Sequence, residues 1–182
     1  TFELLNKNIL IAGFGRIGKK LISRCLAFDT KVYVYDPYVD DDIIKQFGGI
    51  KVDNIEEGLR IADYISLHMP LTKETSNLIN YSVLKKMKKN SIIVNTARGG
   101  IINELDLEKA LNESIIFGAA LDVFSKEPVE KDNPLLKNRK VILSPHSATF
   151  TDECTSRMGI ETTKNIIEFF ENKLDKSKIV KL

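Results

Sequence analysis

Arg98, Glu127 and His146 are residue types that together form a usable chemical set. An arginine fork holds a carboxylate through two parallel hydrogen bonds and stays charged. A histidine gives and takes a proton near neutral pH. A glutamate hydrogen-bonded to that histidine favours its protonated form, which suits a group that must protonate a developing alkoxide. Each residue also has a plainer reading. Arg98, between Ala97 and Gly99, could neutralise a helix end, and Glu127 before Pro128 could be an ordinary loop acid. His146 has a rival in His68, which also follows an apolar run. Residue chemistry alone leaves the two histidines unresolved.

A second set of residues points to phosphate. The apolar run Ile9-Leu10-Ile11-Ala12 leads into Gly13-Phe14-Gly15-Arg16-Ile17-Gly18. Ile17, Leu21, Ile22, Cys25 and Leu26 then recur at near-helical spacing. Strand, tight turn and helix is the context in which GxGxxG gains meaning. Gly13 permits the turn, Gly15 lets the backbone approach a pyrophosphate, and Gly18 lets the helix pack on the strand. The helix N-terminus offers free N–H groups to the phosphates. Residues 31–35 read as the next strand and end in Asp36, 18 residues past Gly18. A carboxylate there is placed for a ribose 2′-OH and would repel a 2′-phosphate, so NAD is the expected cofactor rather than NADP. Asp122 could accept a hydrogen bond from the nicotinamide carboxamide.

These residues need elements to position them. Strands are expected at residues 9–12, 31–35, 50–52, 63–67, 91–94, 115–123 and 141–143. Helical stretches are expected after Gly15, at 40–47, from the cap Asn54 to Ile61, after Asn80 with Leu84 and Met87, and after Asn103 with Leu105, Leu107, Ala110 and Leu111. Residues 124–137 read as a long polar loop. The lysine cluster at 85, 86, 88 and 89 reads as a solvated face. Gly118 and two alanines imply close packing by a neighbour. The alternation predicts an α/β doubly wound parallel sheet, Rossmann-like, with ligands bound beyond the carboxyl ends of its strands. Asp36, His68, Arg98, Asp122, Glu127 and His146 fall at or just past those ends. Residues 1–150 form the expected dinucleotide-binding domain. From 151 to about 172, Met158, Thr162, Ile166 and Phe170 repeat at helical spacing, a face expected to meet a core or an interface.

The 182 residues suffice for one domain with a sizeable core, and 43% apolar with 29% charged residues suits a globular protein. A net charge of +2 offers no electrostatic case for nucleic acid or an anionic membrane. No run is long enough to span a bilayer, and no metal-ligand spacing is present. Cys25 and Cys154 lack redox spacing, which fits a reducing, cytoplasmic setting. Starting at Thr1 without methionine, the chain reads as a fragment or a processed product.

Four stretches resemble the D-isomer-specific 2-hydroxyacid dehydrogenase family: Asn95-Thr-Ala-Arg-Gly-Gly-Ile-Ile102, Gly118-Ala-Ala-Leu-Asp-Val-Phe124, Lys126-Glu-Pro128 and Ser144-Pro-His146. So do the Gly13–Gly18 turn, Tyr35-Asp36-Pro37 and Leu67-His-Met-Pro-Leu-Thr72. The motifs span nearly the whole chain in family order and look most like the phosphoglycerate dehydrogenase branch. The resemblance implies hydride transfer between NAD and a small D-2-hydroxy acid, with the 2-oxo acid as partner product. It implies that Arg98 binds the substrate's carboxylate and carbonyl, that His146 is the general acid/base, and that Glu127 is its partner. It places Gly13, Gly15, Arg16, Ile17 and Gly18 on the pyrophosphate and Asp36 on the adenosine ribose. Met69, Pro70 and Thr75 would line the nucleotide, with Thr96, Ala97 and Asp122 near the nicotinamide. His68 takes a structural role. The family's substrate domain is expected to be absent here, with residues 151–182 as the helix returning toward it. A homodimer through the dinucleotide domain is also implied. Non-catalytic alternatives are an NAD(H)-sensing interaction module of the corepressor type and a dimerisation scaffold.

Overall fold

The computed structural model describes residues 2–179, in two units, Thr1–His146 and Ser147–Leu182. The first unit is built on seven parallel strands in the order β3-β2-β1-β4-β5-β6-β7. They are β1 Asn8–Ala12, β2 Lys31–Tyr35, β3 Ile50–Lys51, β4 Tyr64–Leu67, β5 Ile92–Asn95, β6 Gly118–Leu121 and β7 Val141–Leu143. Five helices intervene: α1 Arg16–Leu26, α2 Asp41–Gln46, α3 Ile55–Ile61, α4 Tyr81–Leu84 and α5 Glu104–Asn112.

The central strand β1 shows why the sheet needs cover on both faces. Successive side chains of a strand point to opposite faces. Ile9 and Ile11 join Phe14, Ile22, Cys25, Val32, Val34 and Ile44 in one core. Leu10 and Ala12 join Leu59, Ile65, Leu67, Ile93, Leu107 and Leu121 in the larger core. A run apolar at every position thus reads as a strand buried on both sides. Burial also pushes the Cys25 thiol pKa up.

Asparagine caps set the helix starts that the sequence signals. The side chains of Asn54, Asn80 and Asn103 accept the N–H groups of Glu56, Val83 and Asp106. Such a cap is typically worth ~1 kcal/mol. The lysine cluster is more engaged than a solvated face requires. Lys86 pairs with Glu56 at 2.6 Å and Lys88 with Asp63 at 2.8 Å.

Three local expectations are corrected. The strand expected over residues 115–123 is only Gly118–Leu121, because its neighbour β5 supplies ladder partners from Ile92 to Asn95 alone. Ile116, Val123 and Phe124 are nonetheless buried outside it, which explains the longer apolar signal. Met87 is also buried, but it lies past the end of α4. The loop over 124–137 ends in a 3-10 turn, Pro134–Lys137, that buries Leu135. Gly118 does meet a close neighbour: a β-carbon there would stand 2.9 Å from the Lys140 carbonyl oxygen.

The second unit carries α6, Asp152–Phe170, capped by the Thr151 side chain accepting from Cys154 N–H. No residue of α6 is buried, and Ile166, Ile167 and Phe170 are exposed, so of the core or interface expected for this face the unit supplies no core of its own. Lys178 folds back on the same helix, to Asn165 at 2.9 Å.

Gly18 lies where α1 passes the Gly13 carbonyl, and a β-carbon there would sit 2.3 Å from that oxygen. Neither partner is a flexible side chain. Gly18→Ala is expected to destabilise the domain by about 1–3 kcal/mol, read as a lower denaturation midpoint at unchanged m-value.

Candidate active site

Register fixes which residues share the functional edge. Tyr35 pairs with Ala12, Ala12 with Leu67, Leu67 with Asn95, Asn95 with Leu121 and Leu121 with Leu143. One row therefore closes six of the seven strands. The next residues along the chain are Asp36, Gly13, His68, Thr96, Asp122 and Ser144. Backbone hydrogen bonds carry the ladder one step further: Gly13 N–H to Tyr35 O at 2.8 Å, His68 N–H to Ala12 O at 2.7 Å, and Asp122 N–H to Asn95 O at 3.0 Å.

Strand order reverses between β1 and β4, where a doubly wound sheet opens its crevice. A cleft of about 310 Å³ lies there, lined among others by Gly13, Gly15, Asp36, Met69, Pro70 and Thr75. Gly13 has φ +100°, and a β-carbon on it would lie 2.5 Å from the His68 carbonyl oxygen. Its glycine is required on both counts. Gly15 is different. It is the N-cap of α1 without a capping side chain, and nothing lies within 4 Å of where its β-carbon would stand. The bare N-terminus of α1 faces open space, has no acid in its first turn, and presents unsatisfied N–H groups. That cradle fits a pyrophosphate. Asp36 accepts Phe14 N–H at 2.7 Å on one oxygen and Tyr38 N–H at 2.9 Å on the other. Its carboxylate is thus pinned on the wall with lone pairs to spare for a ribose diol. Thr75 clips its own loop, donating to Pro70 O at 2.7 Å and accepting Thr72 N–H at 2.7 Å.

A second cleft of about 240 Å³ adjoins the first, sharing His68, Met69 and Pro70 and adding Ile17, Thr96, Ala97 and Arg98. Ile17 is 65% exposed, an apolar side chain offered to a ligand at the first turn of α1. Arg98 donates to its neighbour's Ala97 O at 2.6 Å, and among the described residues no carboxylate pairs with it. Its loop is braced by buried Asn95, which accepts Ala97 N–H at 3.0 Å and donates to Arg98 O at 2.9 Å.

His146 and Glu127 come together across 19 positions. His146 Nδ1 lies 2.7 Å from Glu127 Oε2, and Glu127 Oε1 accepts Phe124 N–H at 3.0 Å. The His146 hydrogen bond, with that from Phe124, holds the Glu127 carboxyl below the usual glutamate range. It stays ionised at neutral pH. With Nδ1 engaged, Nε2 is the ring nitrogen left for a reacting atom. The pair is joined to the Arg98 loop by contact: a β-carbon at Gly99 would fall 1.8 Å from the Phe124 carbonyl oxygen. His68 is held otherwise, its Nε2 2.8 Å from Ser66 Oγ, and burial pushes its pKa down, which favours the neutral ring. Asp122 is buried and accepts Ser144 Oγ–H at 2.5 Å. Arg16, Gly18, Asp122, Glu127 and His146 line neither cleft directly.

The family model described as D-isomer specific 2-hydroxyacid dehydrogenase, NAD binding domain, matches residues 1–148. The chain belongs to that family. It is 42% identical over 172 residues to the D-3-phosphoglycerate dehydrogenase of Methanocaldococcus jannaschii, covering 94% of this chain and 33% of that protein. It is 39% identical to the glyoxylate reductase of Korarchaeum cryptofilum, covering 92% of this chain and 50% of that one. The chain thus spans a third to a half of these relatives. Among solved structures, the NAD-dependent formate dehydrogenase of Staphylococcus aureus in complex with NAD superposes with a TM-score of 0.87 at 34% identity, covering all of this chain and 54% of that one. NAD is the cofactor of the matched domain, and the residues lining the two clefts fit it.

Sequence reasoning missed Asn95 and Ser144, both of which hold a candidate residue in place. Asn95 carried a signal, a polar residue closing an otherwise apolar strand. Ser144 entered only as part of a family motif, with no signal of its own role.

Gly15→Ala is expected to leave stability within about 0.5 kcal/mol, as for a substitution that meets no neighbour, while weakening NADH binding in a fluorescence titration. For Glu127, the depressed pKa means its contribution is complete above the unfolded-state value of about 4.3 and is lost only as pH falls through the lower folded value. The Phe124 amide resonance should therefore hold steady down to that acid range and shift below it.

Proposed function

We propose that this chain is the cofactor-binding half of an NAD-dependent oxidoreductase that interconverts a small D-2-hydroxy acid and its 2-oxo acid. The observation that carries the reading is Arg98, paired with no carboxylate among the described residues, on the crevice beside the strand-order reversal and joined through Gly99 to a hydrogen-bonded Glu127–His146 pair. The chemistry the dinucleotide supplies when bound is hydride transfer at C4 of its nicotinamide. Gly13, Gly15, Arg16, Ile17 and Gly18 hold the pyrophosphate, and Asp36 takes the adenosine ribose. Met69, Pro70 and Thr75 line the nucleotide, while Thr96, Ala97 and Asp122 serve the nicotinamide end. Arg98 binds the substrate carboxylate through its fork and polarises the carbonyl. His146 delivers a proton from Nε2 to the carbonyl oxygen in reduction and removes it in oxidation. Glu127, ionised, orients the imidazole and stabilises its charged form.

The names of the relatives support D-3-phosphoglycerate and glyoxylate as first substrates to try. Residues 1–150 are the dinucleotide domain in this reading, and 151–182 lead toward a substrate domain. A homodimer formed through the dinucleotide domain is part of the same proposal and is read by sedimentation. Two free cysteines favour a cytoplasmic setting. The relatives described above lend no support to a sensing module.

NADH should bind this chain saturably and NADPH much more weakly, and Asp36→Ala should abolish the preference. Binding of neither nucleotide would remove the reading. In the protein that carries this domain, Arg98→Ala and His146→Ala should each lower kcat/KM by about 10²–10⁴-fold, the range for loss of a positioned acid or anchor, with NADH affinity retained. Unchanged turnover in either variant would sink the assignment.

A further inference from the structure

Glu127 occupies a segment that burial does not hold. Ser125, Lys126, Glu127 and Pro128 are all exposed, as are Glu130, Lys131 and Asp132. Yet this segment must keep a carboxylate within hydrogen-bonding reach of His146. Its internal bonds are local: Glu127 to Phe124 N–H, Lys126 to Glu130, and Asn133 N–H to Glu130 O. Val129 packs against the large core. Among the described residues, and apart from the Glu127–His146 bond itself, the hydrogen bonds that tie the segment to the rest of the domain converge on one side chain. Glu104 accepts Ser125 N–H at 2.6 Å on Oε1 and Asn133 Nδ2–H at 2.6 Å on Oε2. One carboxylate thereby grips both ends of the segment that carries Glu127.

Glu104 is itself well anchored. It stands in the first turn of α5, where a negative charge is favoured by the helix dipole. The Asn103 cap fixes that turn, and Leu107, Ala110 and Leu111 bury the helix behind it. Asn133 passes the restraint on, since its Oδ1 accepts Leu135 N–H at 3.0 Å and Leu135 is fully buried. Both bonds to Glu104 are to a charged acceptor, the stronger class of hydrogen bond.

We infer that Glu104 is a positioning residue for the Glu127–His146 pair, holding the exposed segment in the one geometry that presents Glu127 to the imidazole. The inference rests on the proposed function, because it matters to catalysis only if that pair is the acid–base machinery. Glu104 touches neither cleft and acts through Glu127.

The chain contains only two histidines, so their ring nitrogens can be read one by one. Long-range proton–nitrogen correlation spectra at alkaline pH report which nitrogen of a neutral imidazole carries the proton. In the unaltered chain His146 should hold its proton on Nδ1, donated to Glu127, and Glu127→Gln should remove that preference. Glu104→Ala is expected to do the same, converting His146 to the mixed tautomers of an unrestrained imidazole while the His68 signals stay put. Glu104→Gln, which keeps one acceptor oxygen, should give an intermediate result, and it carries the test should the alanine variant fail to fold. A lowered unfolding midpoint with an unaltered His146 spectrum in these variants would overturn the inference and leave the acid–base reading standing. Absence of the Nδ1 proton in the unaltered chain, with no response to Glu127→Gln, would overturn both.

Discussion

Parallel pairing sends every strand out of the sheet at the same edge, and the site depends on that constraint. Tyr35, Ala12, Leu67, Asn95, Leu121 and Leu143 stand in register across the sheet. The residues that follow them therefore arrive together, although they are scattered over more than a hundred positions in the chain. An antiparallel sheet would deliver alternate members to the far edge. The register is secured by packing into the apolar cores on both faces, because slipping a central strand by one residue would push side chains fitted to one core into the other.

Above that edge, two backbone contacts do the finer positioning. Gly13 presses against the His68 carbonyl and Gly99 against the Phe124 carbonyl. The first closes the turn beneath the open space at Gly15. The second sets the arginine loop against the chain that leads into Glu127. Polar braces complete the arrangement: Asn95 holds the loop of Arg98, Thr75 clips the 70–75 loop, and Ser144 bonds Asp122.

Much of this was legible in the sequence. The glycine turn, Asp36 and the asparagine caps each depend on residues a few positions apart, and local sequence encodes local geometry. The alternation of elements gave the sheet, since apolar runs of strand length leave little choice. The limits were also physical. Residues 115–123 looked like one strand because burial continues past the ladder, and periodicity reports burial rather than pairing. His146 and His68 were indistinguishable on their own terms, since each follows a strand. What separates them is a partner, Ser66 for one and Glu127 for the other, and partnership across 19 positions is a tertiary fact that resemblance supplied and spacing did not. Glu104 left no trace at all, because an acid in a helix's first turn is ordinary.

The contact at Gly99 also constrains how such a scaffold can diversify. With no room for even one extra carbon between the two turns, the loop of Arg98 and the turn leading into Glu127 are held as one piece. Lengthening or reshaping either turn would separate them together with the backbone that joins them.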